Sequence, residues 1–386
     1  MRLLLKCFRN PHKAFFPILI AGTKGKGSTG FFLESILREA HYRVGFYSSP
    51  HLEDPRERIR LNGNNVSKSR WAKALTTIRR GLCRLQLDPR WGDFTYFEIM
   101  TLLAMLLFKQ ARMEIGIFEV GMGGRLDATN VIDAKVVGLT PIHLDHEFFL
   151  GNTITRIARE KTAIIRRGAQ VVVGPQTAEA MRVIRRAIRC QKARLWPALS
   201  LFNYRIGLSG DFQKVNAGVA FQIARVLRDI YHYSIEAAAF RKGLEADEWP
   251  GRFEFLKGHP EFLLDGAHNP ISIEALVRNL MKIYPRRNCL LVFGVSRDKK
   301  SDRMLKTLSR YFKDCILTTL PNPRSQEIGV LLSQAQGYFR RIIPTGSIPE
   351  AVGTVRKIAS SDCLVVVTGS FYLIGEVRKW LRTKSW

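Results

Sequence analysis

Long hydrophobic runs are missing from this chain. The longest candidate lies within Ile99–Phe108 and is too short to span a bilayer. No membrane partner is expected. Paired cysteines are missing too. Cys7, Cys83, Cys190, Cys289, Cys315 and Cys363 are scattered and contain no CxxC. They read as reduced thiols of an intracellular, cytoplasmic protein, most of them in the core. Acidic residues are scarce: 33 Asp and Glu stand against 61 Lys and Arg, for a net charge of +28. Such a balance usually points to a polyanion such as nucleic acid. The positions argue against that partner. Basic residues run from Arg2 to Lys384, and the densest stretch, Arg182 to Arg194, reads as one exposed helix face without interleaved aromatics. A generally basic proteome or cytosol is the preferred explanation. The first 33 residues hold no Asp or Glu, which is the composition of a transit or signal segment. They run straight into a glycine-rich loop, so they are read as a basic lead-in to the first strand.

That loop organises the chain. Ile18–Ala21 reads as a buried strand and Gly22-Thr23-Lys24-Gly25-Lys26-Gly27-Ser28-Thr29-Gly30 as a turn. Phe31, Phe32, Ser35, Ile36 and Ala40 then recur at helical spacing. Strand, loop and helix start make an anion cradle, because loop N–H groups and the helix dipole face a phosphate together. Lys26 adds a charge near the terminal phosphates, and the hydroxyl of Ser28 or Thr29 stands where a Mg²⁺ ligand belongs. The match to the Walker pattern is imperfect, with Ile20 in place of its first glycine and Gly27 directly after the lysine. A plain strand-to-helix turn is the alternative reading.

At 386 residues, 46% of them apolar, the chain can form two domains with separate cores. Further strands are expected at Tyr42–Tyr47, Ile115–Val120, Val136–Thr140 and Gln170–Val173, alternating with helices. That alternation predicts an α/β fold: a P-loop-containing, doubly wound, mostly parallel sheet over residues 1–248. From Gly251 the pattern restarts, with strands at Phe262–Leu264, Cys289–Phe293 and Leu364–Val367. Residues 251–386 are therefore a second, smaller Rossmann-like α/β domain, with Glu248-Trp249-Pro250-Gly251 as the hinge. Ligands of such sheets sit beyond the carboxyl ends of the strands. The loops after Ile20, Tyr47, Val120 and Thr140 lie there.

Taken in order, a series of segments resembles the folylpolyglutamate synthase and dihydrofolate synthase family, within the Mur-ligase superfamily, over nearly the whole chain. They are Gly22–Thr29, Ser48–Leu52 with Arg56–Gly63, Glu119–Asn130, Asp145-His146 with Leu150-Gly151, Glu160-Lys161, Gly251–Glu254, Asp265–Pro270, Asp298-Lys299 and Thr368–Ser370. The loop form with Lys24, together with Arg56–Gly63, is similar to the polyglutamate-adding members. The resemblance implies a monomeric ligase that uses ATP and Mg²⁺ to phosphorylate a folate carboxylate, which the amine of L-glutamate then attacks. It implies that Gly22, Thr23, Gly25, Lys26, Gly27, Ser28 and Thr29 hold the nucleotide, with Asn216, Arg252 and Asp265. Ser49, Glu119, His146 and Lys161 are implied as metal ligands, Lys161 as a carbamate. Phe97, Leu126, Asp127 and Ala128 are implied on the pterin side, and His268 and Ser370 at the glutamate or phosphate. A site shared by two domains implies closure around ATP.

Plainer readings stand beside these. Glu119 at a strand end can be a loop-capping carboxylate. His143 and His146 flank Asp145 at a spacing that suggests zinc, although no Cys stands nearby. Lys161 reads by default as a surface lysine paired with Glu160, Arg252 as a hinge salt bridge, and Arg56, Arg58 and Arg60 as a solvated strand face. Only 17 residues precede Ile18, where many family members carry a longer segment that helps bind dihydropteroate. This weighs against dihydrofolate synthase activity. Two other functions compete: a superfamily ligase acting on a peptidoglycan-type precursor, and a basic nucleic-acid-binding protein on a nucleotide fold.

Overall fold

The computed structural model describes residues 1–83, 93–201, 203–285 and 287–383. The chain forms two compact units. The first comprises Met1–His51, Pro55–Gly207 and Phe212–Asp247; the second comprises Leu52–Asp54, Leu208–Asp211 and Glu248–Trp386.

The first unit is built on eight strands: β1 (Phe16–Ala21), β2 (Val44–Tyr47), β3 (Ile59–Leu61), β4 (Asn64–Asn65), β5 (Ile115–Glu119), β6 (Val136–Leu139), β7 (Gln170–Val173) and β8 (Arg194–Pro197). Their order is β4-β3-β2-β5-β1-β6-β7-β8. From β2 to β8 the pairing is parallel, and β3 and β4 add an antiparallel edge. Helices cover both faces, so the central strands are apolar throughout rather than alternating. Ile18, Leu19, Ile20 and Ala21 are all fully buried, as are Ile115, Ile117 and Phe118 of β5. The helix Tyr96–Gln110 starts from a capping box in which Thr95 and Glu98 satisfy each other's backbone N–H groups.

The second unit is a six-stranded sheet of β9 (Glu254–Leu256), β10 (Glu261–Asp265), β11 (Cys289–Phe293), β12 (Asp314–Thr318), β13 (Arg341–Thr345) and β14 (Leu364–Thr368). The order is β13-β12-β11-β14-β10-β9, parallel except at β9. It has its own core on each face of the sheet. Both units thus have the expected α/β, parallel-rich architecture. Among the described residues, no helix is long and apolar enough to cross a membrane.

One expectation fails. Cys7, Cys83 and Cys190 are exposed and Cys289 is half-buried, which leaves only Cys315 and Cys363 in the core. Cys7 and Cys190 are each the last residue of their helix (Arg2–Cys7, Ala178–Cys190), where the apolar face has run out, and Cys83 lies on an exposed side of its helix. The helix Ala178–Cys190 does present Arg182, Arg185, Arg186 and Arg189 outward, opposite buried Ala180, Ile184 and Ile188. Arg60 departs from the solvated-face reading: its Nε lies 3.0 Å from the carboxylate of fully buried Glu34. Glu34 also accepts the Gly63 N–H at 2.9 Å, tying the helix Lys26–Glu39 to the β3–β4 hairpin. Burial pushes the Glu34 carboxyl up, against the pull of Arg60, Arg38 and the Gly63 amide. Glu34→Ala removes one half of this pair and is expected to cost about 3 kcal/mol, read as a lower urea midpoint. An unchanged midpoint would show that the pair holds nothing.

Candidate active site

The glycine-rich loop leaves β1 and enters the helix Lys26–Glu39 at its first residue, Lys26. Two glycines make the turn: Gly22 at φ +148° and Gly25 at φ +80°. A Cβ on Gly25 would lie 2.0 Å from Asn216 Oδ1, so glycine is required both by the backbone and by the close approach of Asn216. Asn216 is buried on the helix Asp211–Tyr231 and donates to Gln213 Oε1 at 2.8 Å. Thr29 gives its hydroxyl to the Asn216 carbonyl at 3.3 Å. That leaves Ser28 as the hydroxyl to consider at the helix start; Gly27 lies in the first helical turn. Thr23 is fixed by reciprocal bonds with His143: its Oγ1 donates to the carbonyl and accepts the N–H, both at 3.0 Å. Burial, then Lys24, pushes the His143 imidazole down.

Three loops bring charge to this cradle. Glu119 ends β5, is 4% exposed, and accepts the Ser49 N–H at 3.2 Å. Lys26 Nζ stands 3.8 Å from Glu119 Oε1. Lys161, near the end of the helix Ile154–Thr162, is 5% exposed and donates to the Gly22 carbonyl at 2.9 Å. It is not the surface lysine that its neighbour Glu160 suggests. Burial pushes its ammonium down to about 7, helped by Lys26 and opposed by Asp145 and Asp127. A cleft is lined by Gly22, Thr23, Lys26, Asp145, His146 and Lys161 among others. His146 sits in a left-handed turn at φ +50°, and its N–H is held by Asp145 Oδ1 at 2.9 Å. Asp145, which the sequence marks only as part of the Asp145-His146 segment and with no role of its own, belongs to the same cleft. Among the described residues, no three His, Cys, Asp or Glu side chains group as a metal cage.

The loop after β5 carries the pterin-side candidates. Asp127 is buried and holds the loop together, accepting from Met122 N and Thr129 N at 3.0 Å and from the Thr129 hydroxyl at 2.6 Å. Burial nevertheless raises its carboxyl. Ala128 is buried, whereas Leu126 is 82% exposed. Phe97 packs so closely on Gly121 that a Cβ there would meet its ring at 2.5 Å.

The second unit gathers its own set. Asp265 ends β10 and accepts the Phe253 and Ala267 N–H groups, each at 2.9 Å. The Arg252 guanidinium lies 4.4 Å above the Phe371 ring, and the His268 ring is 5.7 Å from the same ring. His268 Nδ1 is 2.7 Å from the Gly266 carbonyl, which fixes the proton there and makes Nε2 the basic nitrogen. Ser370 is buried and accepts the Tyr372 N–H at 3.2 Å.

The Lys161 shift sets a pH dependence. The unfolded lysine, with its ordinary pKa, binds more protons than the folded one near neutrality, so burial of Lys161 costs stability below about 7. That cost fades as pH rises toward the unfolded value. Lys161→Met is expected to raise the urea midpoint at pH 7 in CO₂-free buffer, by an amount that shrinks toward pH 10. A gain that grows with pH would contradict the assignment.

Comparison with known proteins fits this geometry. The family model for the Mur ligase glutamate ligase domain matches residues 251–371. A Bacillus subtilis protein described as dihydrofolate synthase/folylpolyglutamate synthase is 32% identical over 413 residues, covering 99% of this chain and 94% of the relative. The crystal structure of a Yersinia pestis bifunctional folylpolyglutamate synthase/dihydrofolate synthase, complexed with AMPPNP and a manganese ion, superposes with a TM-score of 0.85 at 29% identity. It covers 99% of this chain and 92% of that one. A Haloferax volcanii relative, a probable bifunctional folylpolyglutamate synthase/dihydropteroate synthase, is 31% identical over 99% of this chain. The chain spans only 48% of that protein, about half its length. On a match at this identity over nearly the whole length of both chains, the chain belongs to the folylpolyglutamate synthase/dihydrofolate synthase family.

Proposed function

We propose that this protein is an ATP-dependent ligase that joins L-glutamate to a folate carboxylate through an acyl phosphate, and, since it consumes ATP, a cytoplasmic one. The observation that carries the reading is the convergence of Lys26, Glu119 and Lys161 on the loop Gly22–Gly25. Phosphoryl transfer asks the protein mainly for alignment and charge neutralisation. The loop amides and Lys26 are suited to the terminal phosphates, and Asn216 to holding the loop and the nucleotide beside it. In the first step a carboxylate oxygen of the acceptor attacks the γ-phosphorus and ADP leaves. In the second the amine of glutamate attacks the acyl carbon, phosphate leaves, and the nitrogen gives up a proton. Leu126, Asp127, Ala128 and Phe97 are assigned to the acceptor side, and Arg252, Asp265, His268 and Ser370 to nucleotide and glutamate contacts, on the family match.

Magnesium fits the residues present. This hard cation takes one or two carboxylates, phosphate oxygens and water rather than an all-protein cage. Buried Glu119, which faces Lys26 Nζ at 3.8 Å, is such a carboxylate. Ser49 and His146 are the further candidate ligands. When bound, the ion would neutralise charge on the triphosphate. Lys161 could join only after modification, because an ammonium has no lone pair to give. Burial supplies the neutral amine whose nitrogen attacks CO₂, loses a proton and becomes an anionic carbamate.

The test is ADP release that requires both a folate and glutamate, with dihydropteroate, tetrahydrofolate and its polyglutamates as separate acceptors. Release without either, or only with a peptidoglycan-type precursor, would overturn the reading. Lys26→Ala is expected to lower turnover by at least about 100-fold with the fold intact; an active variant would remove the phosphate assignment. Lys161→Ala should lose most of the rate and recover part of it with an added short carboxylic acid. Normal turnover together with a bare lysine by mass spectrometry would refute the carbamate.

A further inference from the structure

We propose that Arg166 is a positioning residue that fixes the acceptor-side loop, Gly121–Asn130, to the frame that also holds the phosphate loop. The inference rests on the ligase reading above and adds a residue which that reading leaves without a role.

The loop is closed internally by Asp127 but needs an outside anchor, because its tip, Leu126, is 82% exposed. Two ties supply it, both from one helix and the turn that follows. Arg125 donates its N–H to the Glu160 carbonyl at 3.0 Å and its Nε to Glu160 Oε1 at 2.9 Å. Arg166 reaches back from the turn and gives Nη2 to two oxygens of Asn130, the backbone carbonyl and Oδ1, the latter at 2.8 Å. Its Nη1 donates to the Ala163 carbonyl at 3.4 Å, which steadies the guanidinium. Asn130 passes the restraint on, donating Nδ2 to the Arg125 carbonyl at 2.8 Å. The loop lies hard on the helix: a Cβ on Gly124 would come 2.5 Å from the Glu160 carbonyl.

The same helix places Lys161 against the Gly22 carbonyl. One rigid element therefore fixes both the loop assigned to the acceptor and the loop assigned to the phosphates. In-line attack tolerates little misplacement, so a shared frame is worth rate. The two ties are unequal. Side chains of Arg125 and Glu160 are 58% and 24% exposed, and ion pairs of that exposure contribute little. Arg166 is half-buried and makes a charge-assisted bond to two acceptors. Arg166, not Glu160, carries the restraint.

The test compares Arg166→Gln, Arg166→Lys and Glu160→Gln in the full chain, after checking that each keeps the wild-type thermal midpoint. Arg166→Gln is expected to raise the acceptor KM about tenfold while the ATP KM stays within about twofold. Arg166→Lys should recover part of the loss, and Glu160→Gln should cost less than about threefold. Hydrogen exchange gives a readout independent of turnover: in Arg166→Gln the amides of residues 121–130 should exchange faster and those of residues 22–29 should not. Unchanged acceptor KM, a parallel rise in both KM values, or a Glu160→Gln effect as large as that of Arg166→Gln would overturn the inference while the wild-type enzyme remained a ligase. Wild-type protein without glutamate-dependent ADP release would overturn the ligase reading itself, and the inference with it.

Discussion

The bond from Lys161 Nζ to the Gly22 carbonyl is the constraint on which the first unit's chemistry depends. A lysine is expensive to bury, because its charge loses water that nothing in an apolar core replaces. Here the amine is buried and still spends a hydrogen bond on a loop backbone. The loop is thereby held from one side by Lys161, from a second by Thr23 and His143, and from a third by Asn216 at Gly25. A glycine-rich turn would otherwise be a floppy cradle. Held at three points, its N–H groups are aimed before any anion arrives, and that preorganisation is where electrostatic stabilisation of a transferring phosphoryl group originates.

The same arrangement is electrostatically tense. Burial and then Lys26 disfavour the charged form of Lys161, and Glu119 answers Lys26 from 3.8 Å while almost wholly out of water. A triphosphate with a divalent ion relieves this tension better than water does, since it brings both signs of charge to a site that has both to match. The protein's overall surplus of basic residues is a separate matter. Part of it lies on outward faces such as Arg182, Arg185, Arg186 and Arg189 of the helix Ala178–Cys190, whose opposite face packs Ala180, Ile184 and Ile188 into the core.

What the sequence discloses follows burial. Most strands covered on both faces announce themselves as unbroken apolar runs. Buried β12, opening on Asp314 and Cys315, goes unmarked, but β1, β2, β5, β6, β7, β10, β11 and β14 are legible without a structure. The edge strands are not. Arg194–Pro197 and Arg341–Thr345 each carry an arginine and a proline and are only partly covered, so no apolar run or clean alternation marks them. The glycine clusters at Gly22–Gly30 and Gly121–Gly124 point to loops with close backbone approaches, and those are the loops around which the candidate residues gather. Roles that depend on distant partners stay hidden. Lys161 reads as a surface residue until its helix is seen against Gly22. Arg166 finds Asn130 across 36 positions, and neither residue type nor spacing hints at it. The cysteines mislead for the opposite reason: their chemistry suggests the core, but helix ends put Cys7 and Cys190 in water.

The central claim is that the loop framed by Lys26, Glu119 and Lys161 activates a carboxylate by phosphorylation. Its most direct test is oxygen transfer. With ¹⁸O in the reacting carboxylate of the folate acceptor, and with ATP and glutamate present, the account predicts one ¹⁸O atom in each inorganic phosphate released, because the carboxylate oxygen that attacks phosphorus departs with it. Phosphate that carries no label would mean that no acyl phosphate forms, and the account would be wrong.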